Sequence, residues 1–308
     1  MFWWAVVFLD IFLIGLTKSG FGSGVGIMIV PIMAIALGQI PGQHSEAALG
    51  LLLPLLIAGD LFAVSQYWKL LFNEPSSENA SPPPESESLN PRAEAGGAVM
   101  QVALPSTELT QASRARAVLL RLMPGTAVGV VLGGWLLWVL HHQANLVGAL
   151  MRIEIGIEAI FLVSLHWWRI YRGVQQRLMP EPWRSHFTGG FSAISSTLAH
   201  AAGPIIAMYL LPLRLDRRLF VATSAMFFFI LNTAKLPAYY ASGQFGHARF
   251  SFTLQFLPLV VAGAFFGRFI NRRLNDKLFT RIVYIVTFVL GWYILADGIL
   301  RLFGKQLA

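Results

Sequence analysis

The chain has 308 residues, of which 56% are hydrophobic and only 12% are charged, and its mean hydropathy is +0.61. Soluble domains carry about 25% charged residues, so the composition excludes a water-soluble protein and predicts one that crosses a lipid bilayer several times. The net charge of +8 is typical of basic cytoplasmic loops in a membrane protein, and we expect no nucleic-acid partner. The lack of cysteine excludes disulfides and thiolate metal sites.

The apolar residues form segments that approach the roughly 20 residues a helix needs to cross a bilayer. These segments lie at about 2–17, 25–38, 46–66, 118–140, 147–168, 187–212, 218–241, 252–270 and 281–303. The first stretch, MFWWAVVFLD, has no basic n-region and no small-residue cleavage pattern, so we expect it to be retained as a helix. Residues 73–117 are rich in Pro, Ser and Glu, which predicts a disordered cytoplasmic insert.

Two stretches in different halves of the chain resemble each other. LMPGTAVGVVLGG (122–134) and FLPLVVAGAFFGR (256–268) each have a proline followed by glycines five and nine residues later. We interpret these glycines as sites of close helix packing. They are Gly129, Gly133, Gly263 and Gly267.

This alignment of the halves places 15–38 opposite 190–212, and both segments are interrupted by glycine or proline. Internal symmetry with paired interruptions is typical of transporters and indicates their binding site. The sequence therefore predicts an all-α polytopic membrane protein with two inverted repeats, 1–170 and 186–303. Each repeat would hold a broken, re-entrant helical hairpin and three transmembrane helices.

The distribution of basic residues favours this inverted arrangement. If each interrupted segment crossed the bilayer once, the basic residues of the loops would be split between both sides, contrary to the positive-inside bias. If both segments enter and leave on the same side, nearly all of these residues share one side, and only Arg249, Arg301 and Lys305 face the other. We therefore expect cytoplasmic basic loops and both termini on the outer side.

The interruptions predict helix N-termini inside the membrane. In GLTKSGFGSGVGIMIVP (15–31), Ser19 or Ser23 could cap a second helix, with Gly20 and Gly24 nearby and Lys18 adding positive charge. In AHAAGP (199–204), Pro204 suits a first helical position. There, Gly203 would lie at the break and His200 could donate to an anion or move a proton. Unpaired N–H groups and the positive end of a helix dipole favour an anion.

Three further polar residues lie in apolar segments. Asn232 and Lys235 share one helix face. Lys235 could face a cavity or a carboxylate, or act as an interfacial anchor beside two tyrosines. Asp60 could form an ion pair with Lys18 or Lys235, the interpretation we prefer, or carry a coupling proton. Lys18 could alternatively extend to the interface.

A pair of carboxylates also lies inside a predicted span. Glu154 and Glu158 are one helical turn apart and could relay protons, but we favour pairing with Arg152 and polar neighbours. The histidines are scattered through the chain. We therefore expect no metal and no cofactor.

These stretches together resemble the TauE/SafE family of bacterial sulfite exporters. The resemblance rests on the motifs quoted above and on EAALGLLLPLLIAGDLFAV, ATSAMFFFILNTAKLPAY and FLPLVVAGAFFGRFINRRL. It covers nearly all the apolar chain and leaves the insert outside. It implies a bacterial inner-membrane transporter of small sulfur-containing anions such as sulfite or sulfonates. It also implies a substrate cradle at 18–24 and 199–204, supported by Asn232 and Lys235.

The predicted function is thus transport, as an exporter, by alternating access between the two repeats. A passive anion channel is one alternative. A membrane-embedded enzyme using His200 and intramembrane carboxylates is another, although no nucleophile or acid cluster favours it. The expected partners are the small anion and the lipid bilayer, and a homo-oligomer is left open.

Overall fold

The computed structural model describes residues 2–20, 26–41, 47–72, 111–141, 147–173, 182–210, 213, 215–245, 250–270 and 276–303. These residues form α-helices, short turns and no strand. The helices are α1 (Phe2–Gly20), α2 (Gly26–Gly38), α3 (Ala47–Phe72), α4 (Gln111–His141), α5 (Val147–Tyr171), α6 (Pro182–Ala199), α7 (Ala202–Leu210), α8 (Arg217–Ala234), α9 (Leu236–Ala241), α10 (Phe250–Gln255), α11 (Leu257–Ile270) and α12 (Asp276–Leu302).

Three helical stretches are long and apolar enough to cross a membrane, namely Ala47–Phe72, Gln111–Val139 and Arg218–Ala241. The 26 residues of α3 extend about 39 Å at 1.5 Å per residue, which exceeds a hydrocarbon core of about 30 Å. Shorter apolar helices lie at Gly156–Trp168 and Thr253–Gly267. The chain is therefore an all-α, multi-pass membrane protein.

The two predicted interruptions are confirmed. α1 and α2 are separate helices, and α6 ends at Ala199, just before His200, whose φ of 53° lies in the left-handed region. A left-handed backbone cannot continue a right-handed helix. The chain therefore turns between α6 and α7 at the residues that the sequence indicated.

Three predicted boundaries need correction. Residues 111–117, predicted as the end of the disordered insert, form the first turns of α4, while 73–110 lie outside the described residues. The predicted spans 218–241 and 252–270 are each interrupted once, at Lys235 and at Phe256. Each interruption comes two residues before a proline, which has no N–H to donate and disturbs the preceding turn.

Glycines bring α1 against α11 and α6 against α4. A Cβ atom at Gly263 of α11 would lie 2.1 Å from the carbonyl oxygen of Phe12, and one at Gly267 would lie 2.4 Å from that of Leu16. On α4, a Cβ at Gly129 would lie 2.2 Å from the carbonyl oxygen of Gly190. The interpretation of these glycines as sites of close helix packing is confirmed, because any larger side chain would force the helices apart.

These contacts cross between the two halves of the sequence. α1, in the first half, packs against α11 of the second, and α6, in the second half, packs against α4 of the first. In both pairs the contacts advance together along the two helices, so the partners run in the same direction. On α4 and α6, for example, Gly125 meets His186 and Gly133 meets Thr197. Each half thus supplies the glycine-rich partner of the other half's broken helix.

α5 and α12 pack in opposite directions. His166 stacks on Tyr284 with ring centroids 3.9 Å apart, whereas Arg152, earlier on α5, reaches Asp297, later on α12. The contacts therefore run in reverse order along the two helices. In the alignment of the halves, α5 and α12 occupy corresponding places as the last helix of each half.

Candidate functional site

A small cavity lies where the two helix interruptions meet. Its volume, taken as the space open to the centre of a water molecule, is about 30 Å³. Its polar lining comes from the end of α1, the end of α6, the turn after it and the last turn of α8. The residues of this polar lining are Thr17, Lys18, Ser196, His200 and Asn232.

The rest of the lining is apolar. It consists of Ile29 and Val30 of α2, Leu56 of α3 and Phe228 of α8. Leu56 and Phe228 lie near the middle of helical stretches that are long enough to span the membrane. The cavity is therefore far from both ends of those helices, with one polar wall and one apolar wall.

Lys18 is neutralised by a carboxylate. Its Nζ lies 2.6 Å from Oδ1 of Asp60 on α3 and 4.4 Å from the centre of the Phe228 ring. The other carboxylate oxygen of Asp60 accepts a hydrogen bond from Nδ2 of Asn232 at 2.6 Å. The side chains of Lys18 and Asp60 are 11% and 0% exposed. Lys18 thus does not extend to the interface, and Asp60 joins α1 to α8.

Lys235 is fully buried, which excludes the interfacial anchor. Its Nζ donates to the carbonyl oxygen of Ser196 at 2.9 Å and contacts Oγ of Ser196 at 3.0 Å. It also lies 2.9 Å from Nδ1 of His200. Lys235 therefore lies directly behind the polar wall of the cavity and supports it through residues of the second interruption.

The contacts of His200 fix its tautomer. Its Nε2 lies 3.2 Å from the carbonyl oxygen of Leu49, which can only accept, so Nε2 carries the proton. Nδ1 is then the acceptor for Lys235. The hydroxyl of Tyr239 donates to the carbonyl oxygen of Thr197 at 2.7 Å and lies 3.4 Å from Nε2 of His200. The strained turn is thus held by contacts to three separate segments.

The helix ends differ in detail from the predictions. Lys18 is in the last turn of α1, and Ile29 and Val30, near the start of α2, line the same cavity. Ser19 is also inside α1, and α2 begins at Gly26. Pro204 is the third residue of α7 rather than the first, but the first turn still tolerates its missing N–H. Gly203, in that first turn, lines the cavity.

The structure brings most of the predicted site residues to one place. Lys18, His200, Gly203 and Asn232 line the cavity, and Asp60 and Lys235 contact its polar wall. Gly20 ends α1. Ser23 and Gly24 lie outside the described residues, as does the side chain of Ser19.

The acidic pair on α5 has its own neighbours. Glu158 accepts a hydrogen bond from Oγ of Ser195, while the side chain of Glu154 lies outside the described residues. Arg152 forms an ion pair with Asp297 of α12 at 2.6 Å. No group of three or more His, Cys, Asp or Glu side chains that could hold a metal occurs in the described part of the chain.

Three residues that the structure brings to attention were not identified from the sequence. Ser196 and Phe228 each lie four residues before a predicted site residue, His200 and Asn232 respectively, so their helical spacing could have indicated them. Asp10 of α1 is fully buried, and neither of its carboxylate oxygens has a hydrogen-bond partner among the described residues. A single Asp in a leading apolar segment was the signal for it.

The interrupted helices meet at a buried polar cavity, midway along apolar helices that are long enough to span a membrane. This arrangement is that of a multi-pass membrane protein with a candidate site at its centre. The chain matches the family described as Sulfite exporter TauE/SafE over residues 96–294, which is more than half of its length. The chain therefore belongs to the TauE/SafE sulfite exporter family, a family of membrane transporters.

The matched region begins inside the predicted insert and ends within α12. It includes His200, Gly203, Asn232 and Lys235, whereas Lys18 and Asp60 precede it. No curated protein and no solved structure matches the chain. The suspected family is thus confirmed, and the contribution of the first helices to the cavity follows from the contacts described above.

Proposed function

We propose that the protein transports small sulfur-containing anions, such as sulfite or sulfonates, out of the cell by alternating access. The substrate would bind in the central cavity, with Lys18, His200, Gly203 and Asn232 in contact with it and Lys235 behind them. The TauE/SafE membership supports an anion transporter in a membrane. The cavity residues supply the donors and positive charge that an anion requires.

One observation carries this proposal: two lysines are buried at a cavity where two helix interruptions meet. Charged groups inside a membrane are costly and usually serve a substrate or ion path. Lys235 is 0% exposed and has donated its hydrogen bonds to Ser196 and His200. The first turn of α7 adds N–H groups at the same cavity, through Gly203. A small oxyanion fits this combination of donors better than a cation or a neutral solute.

Alternating access would follow from two inverted repeats. The opposite directions of α5 and α12 support inversion, since repeats related by an axis along the membrane normal would make these corresponding helices run in parallel. Each broken helix packs in parallel against a glycine-rich helix of the other half, which forms the pairs α1–α11 and α4–α6. Rocking of one pair against the other would open the cavity first to one side and then to the other.

The inner membrane of a bacterium would provide the driving force. The basic loops would lie in the cytoplasm and both termini outside, and the resting potential across such a membrane is negative on the cytoplasmic side. Expelling one negative charge then gains about 2.3 kcal/mol per 100 mV. Export of a singly charged anion therefore requires no coupled ion under this proposal.

The test is flux into or out of proteoliposomes that contain the purified chain. Vesicles loaded at mildly acidic pH with bisulfite, the singly charged form of sulfite, or with methanesulfonate should lose the anion faster when an interior-negative potential is imposed, and the rate should saturate with concentration. Lys18→Ala and Lys235→Ala should each abolish flux. Lys69→Ala is the matched control, because Lys69 lies exposed in the last turn of α3, away from the cavity.

Two results would overturn the proposal. One is the lack of flux of every sulfur anion by a well-folded wild-type protein. The other is wild-type flux in both Lys18→Ala and Lys235→Ala. A flux that rises linearly with concentration would instead indicate a passive channel. Conversion of the anion by protein in detergent, without a vesicle, would indicate an enzyme.

A further inference from the structure

The charges around the cavity do not balance. Lys18 and Asp60 form an ion pair at 2.6 Å, and the remaining carboxylate oxygen is satisfied by the neutral amide of Asn232. This part of the site therefore has no net charge. The pair is buried, so counter-ions from bulk water cannot contribute.

Lys235 is the unbalanced charge. Its contacts are the carbonyl and hydroxyl oxygens of Ser196 and Nδ1 of His200, all of which are neutral groups. The carbonyl oxygen can only accept, and Nδ1 of His200 carries no proton, so both contacts need a donor from Lys235. Three acceptors within 3.0 Å match the three N–H groups of an ammonium. With Lys235 as an ammonium, the described residues at the cavity carry one positive charge in excess.

We propose that the cavity selects singly charged anions and rejects doubly charged ones. This inference rests on the proposed function and specifies the charge of its substrate. A monoanion beside His200 and Asn232 would make the buried set neutral. A dianion would leave one negative charge without compensation at membrane depth, where the desolvation cost of an unpaired charge is large.

Asp10 is fully buried on α1, about two helical turns before Lys18, and is not among the residues that line the cavity. The other buried charges have partners of their own. Arg152 is neutralised by Asp297, which also accepts from Arg301. Glu158 reaches α6 from α5 and contacts Ser195, whereas the cavity is lined by the neighbouring Ser196. Successive residues point about 100° apart around a helix. Glu158 therefore approaches a different face of α6 from the one that faces the cavity.

The size and lining of the cavity agree with a small monoanion. About 30 Å³ is open to the centre of a water molecule, which is more than one water requires. An anion that binds there would have to lose its hydration shell, and the cost of that loss rises with the charge of the anion. The apolar wall of Ile29, Val30, Leu56 and Phe228 provides no donors for further oxygens. A sulfonate can place its oxygens on the polar wall and its carbon on the apolar wall.

Methanesulfonate and sulfate form a matched pair of probes, since both are tetrahedral and they differ by one charge. Dissociation constants are measured by calorimetry on the purified full-length chain in non-ionic detergent. We expect wild-type protein to bind methanesulfonate at least about tenfold more tightly than sulfate. Equal binding, or tighter binding of sulfate, would overturn the inference.

Variants that change the charge of the site separate the effect of charge from that of anion shape, because the same two anions are compared in each variant. Asp60→Asn raises the charge of the site to +2, so the preference for methanesulfonate should fall by about tenfold or reverse. Lys18→Met combined with Asp60→Asn restores +1 and should restore the wild-type preference. Lys69→Met is the control and should change nothing. An unchanged ratio in Asp60→Asn would refute the inference.

A further variant keeps the test decisive if Asp60→Asn does not fold. Lys235→Met removes the excess charge and should weaken methanesulfonate binding by at least about tenfold, and unaltered binding would refute the inference. Failure of the proposed function is distinct, since it appears as no binding and no flux of any sulfur anion. If sulfite is transported but methanesulfonate does not bind, the charge inference alone fails.

Discussion

Substitution of Gly263 by alanine would test the contact between α1 and α11. The added Cβ would lie 2.1 Å from the carbonyl oxygen of Phe12 and 3.2 Å from the backbone nitrogen of Leu16. Ordinary contacts of a Cβ begin at 3.4 Å, so the two helices would have to separate by about 1.3 Å at this point. Both obstructing atoms belong to the backbone and cannot rotate away, which makes the clash costly.

The expected loss can be estimated from two opposing terms. Overpacking of a well-packed interior costs about 1–3 kcal/mol, whereas replacing glycine by alanine inside a helix gains up to about 1 kcal/mol. Separation of the helices would also loosen the contact of Gly267 with Leu16, one turn further along. The overpacking term therefore falls at the upper end of its range, and we expect a net loss of about 2 kcal/mol in the free energy of unfolding.

Gly59 provides the matched control. It too lies inside a helix, α3, but a Cβ there would be 3.5 Å from its nearest neighbours, the side chains of Lys18 and Val260. Gly59→Ala should therefore stabilise the protein by up to about 1 kcal/mol. Unfolding is followed by tryptophan fluorescence during titration with SDS in mild detergent. If Gly263→Ala is as stable as Gly59→Ala, the close packing of α1 and α11 is wrong.

Two further predictions concern buried polar contacts, and both use the same unfolding assay. Asp297→Asn removes the carboxylate shared by Arg152 and Arg301 and should cost about 3 kcal/mol. Arg152→Met should cost less, because Asp297 keeps its contact with Arg301, and the reverse order would contradict this account. His200→Gly should be more stable than His200→Ala by about 1 kcal/mol, because only glycine adopts a φ of 53° without strain. An alanine variant as stable as the glycine variant would disprove the strain.

The interruptions of the helices were predictable because their causes are local. Glycine and proline act on the backbone within one turn of their own position, so AHAAGP alone indicates the end of α6. The same reasoning located the close-packed glycines of α4 and α11, since a proline with regularly spaced glycines on one face recurs in both halves. For Lys235, the apolar run left both a buried position and an interfacial anchor open, and the structure decides for burial.

The partners of the charged residues could not be predicted in the same way. Asp60 could have met either lysine, because the choice depends on how α3 is rotated relative to α1 and α8. Asn232 lies 172 positions from Asp60, and no local pattern relates two helices over that separation. The sequence placed the first interruption near residues 18–24, and only the structure shows that α1 continues to Gly20 and includes Lys18 in its last turn.

Because each half packs against the broken helix of the other half, the contacts of Lys18 and Lys235 have one role in common in a change of access. Lys18 of α1 holds Asp60 of α3, and Lys235, between α8 and α9, holds Ser196 at the end of α6. Each contact joins a broken helix to a long central helix, whereas glycines bring α1 against α11 and α4 against α6. If the pairs α1–α11 and α4–α6 move as rigid units, they would move relative to α3 and α8 at the contacts of Lys18 and Lys235. An anion bound between the lysines would then alter the contacts that a change in access must break and remake.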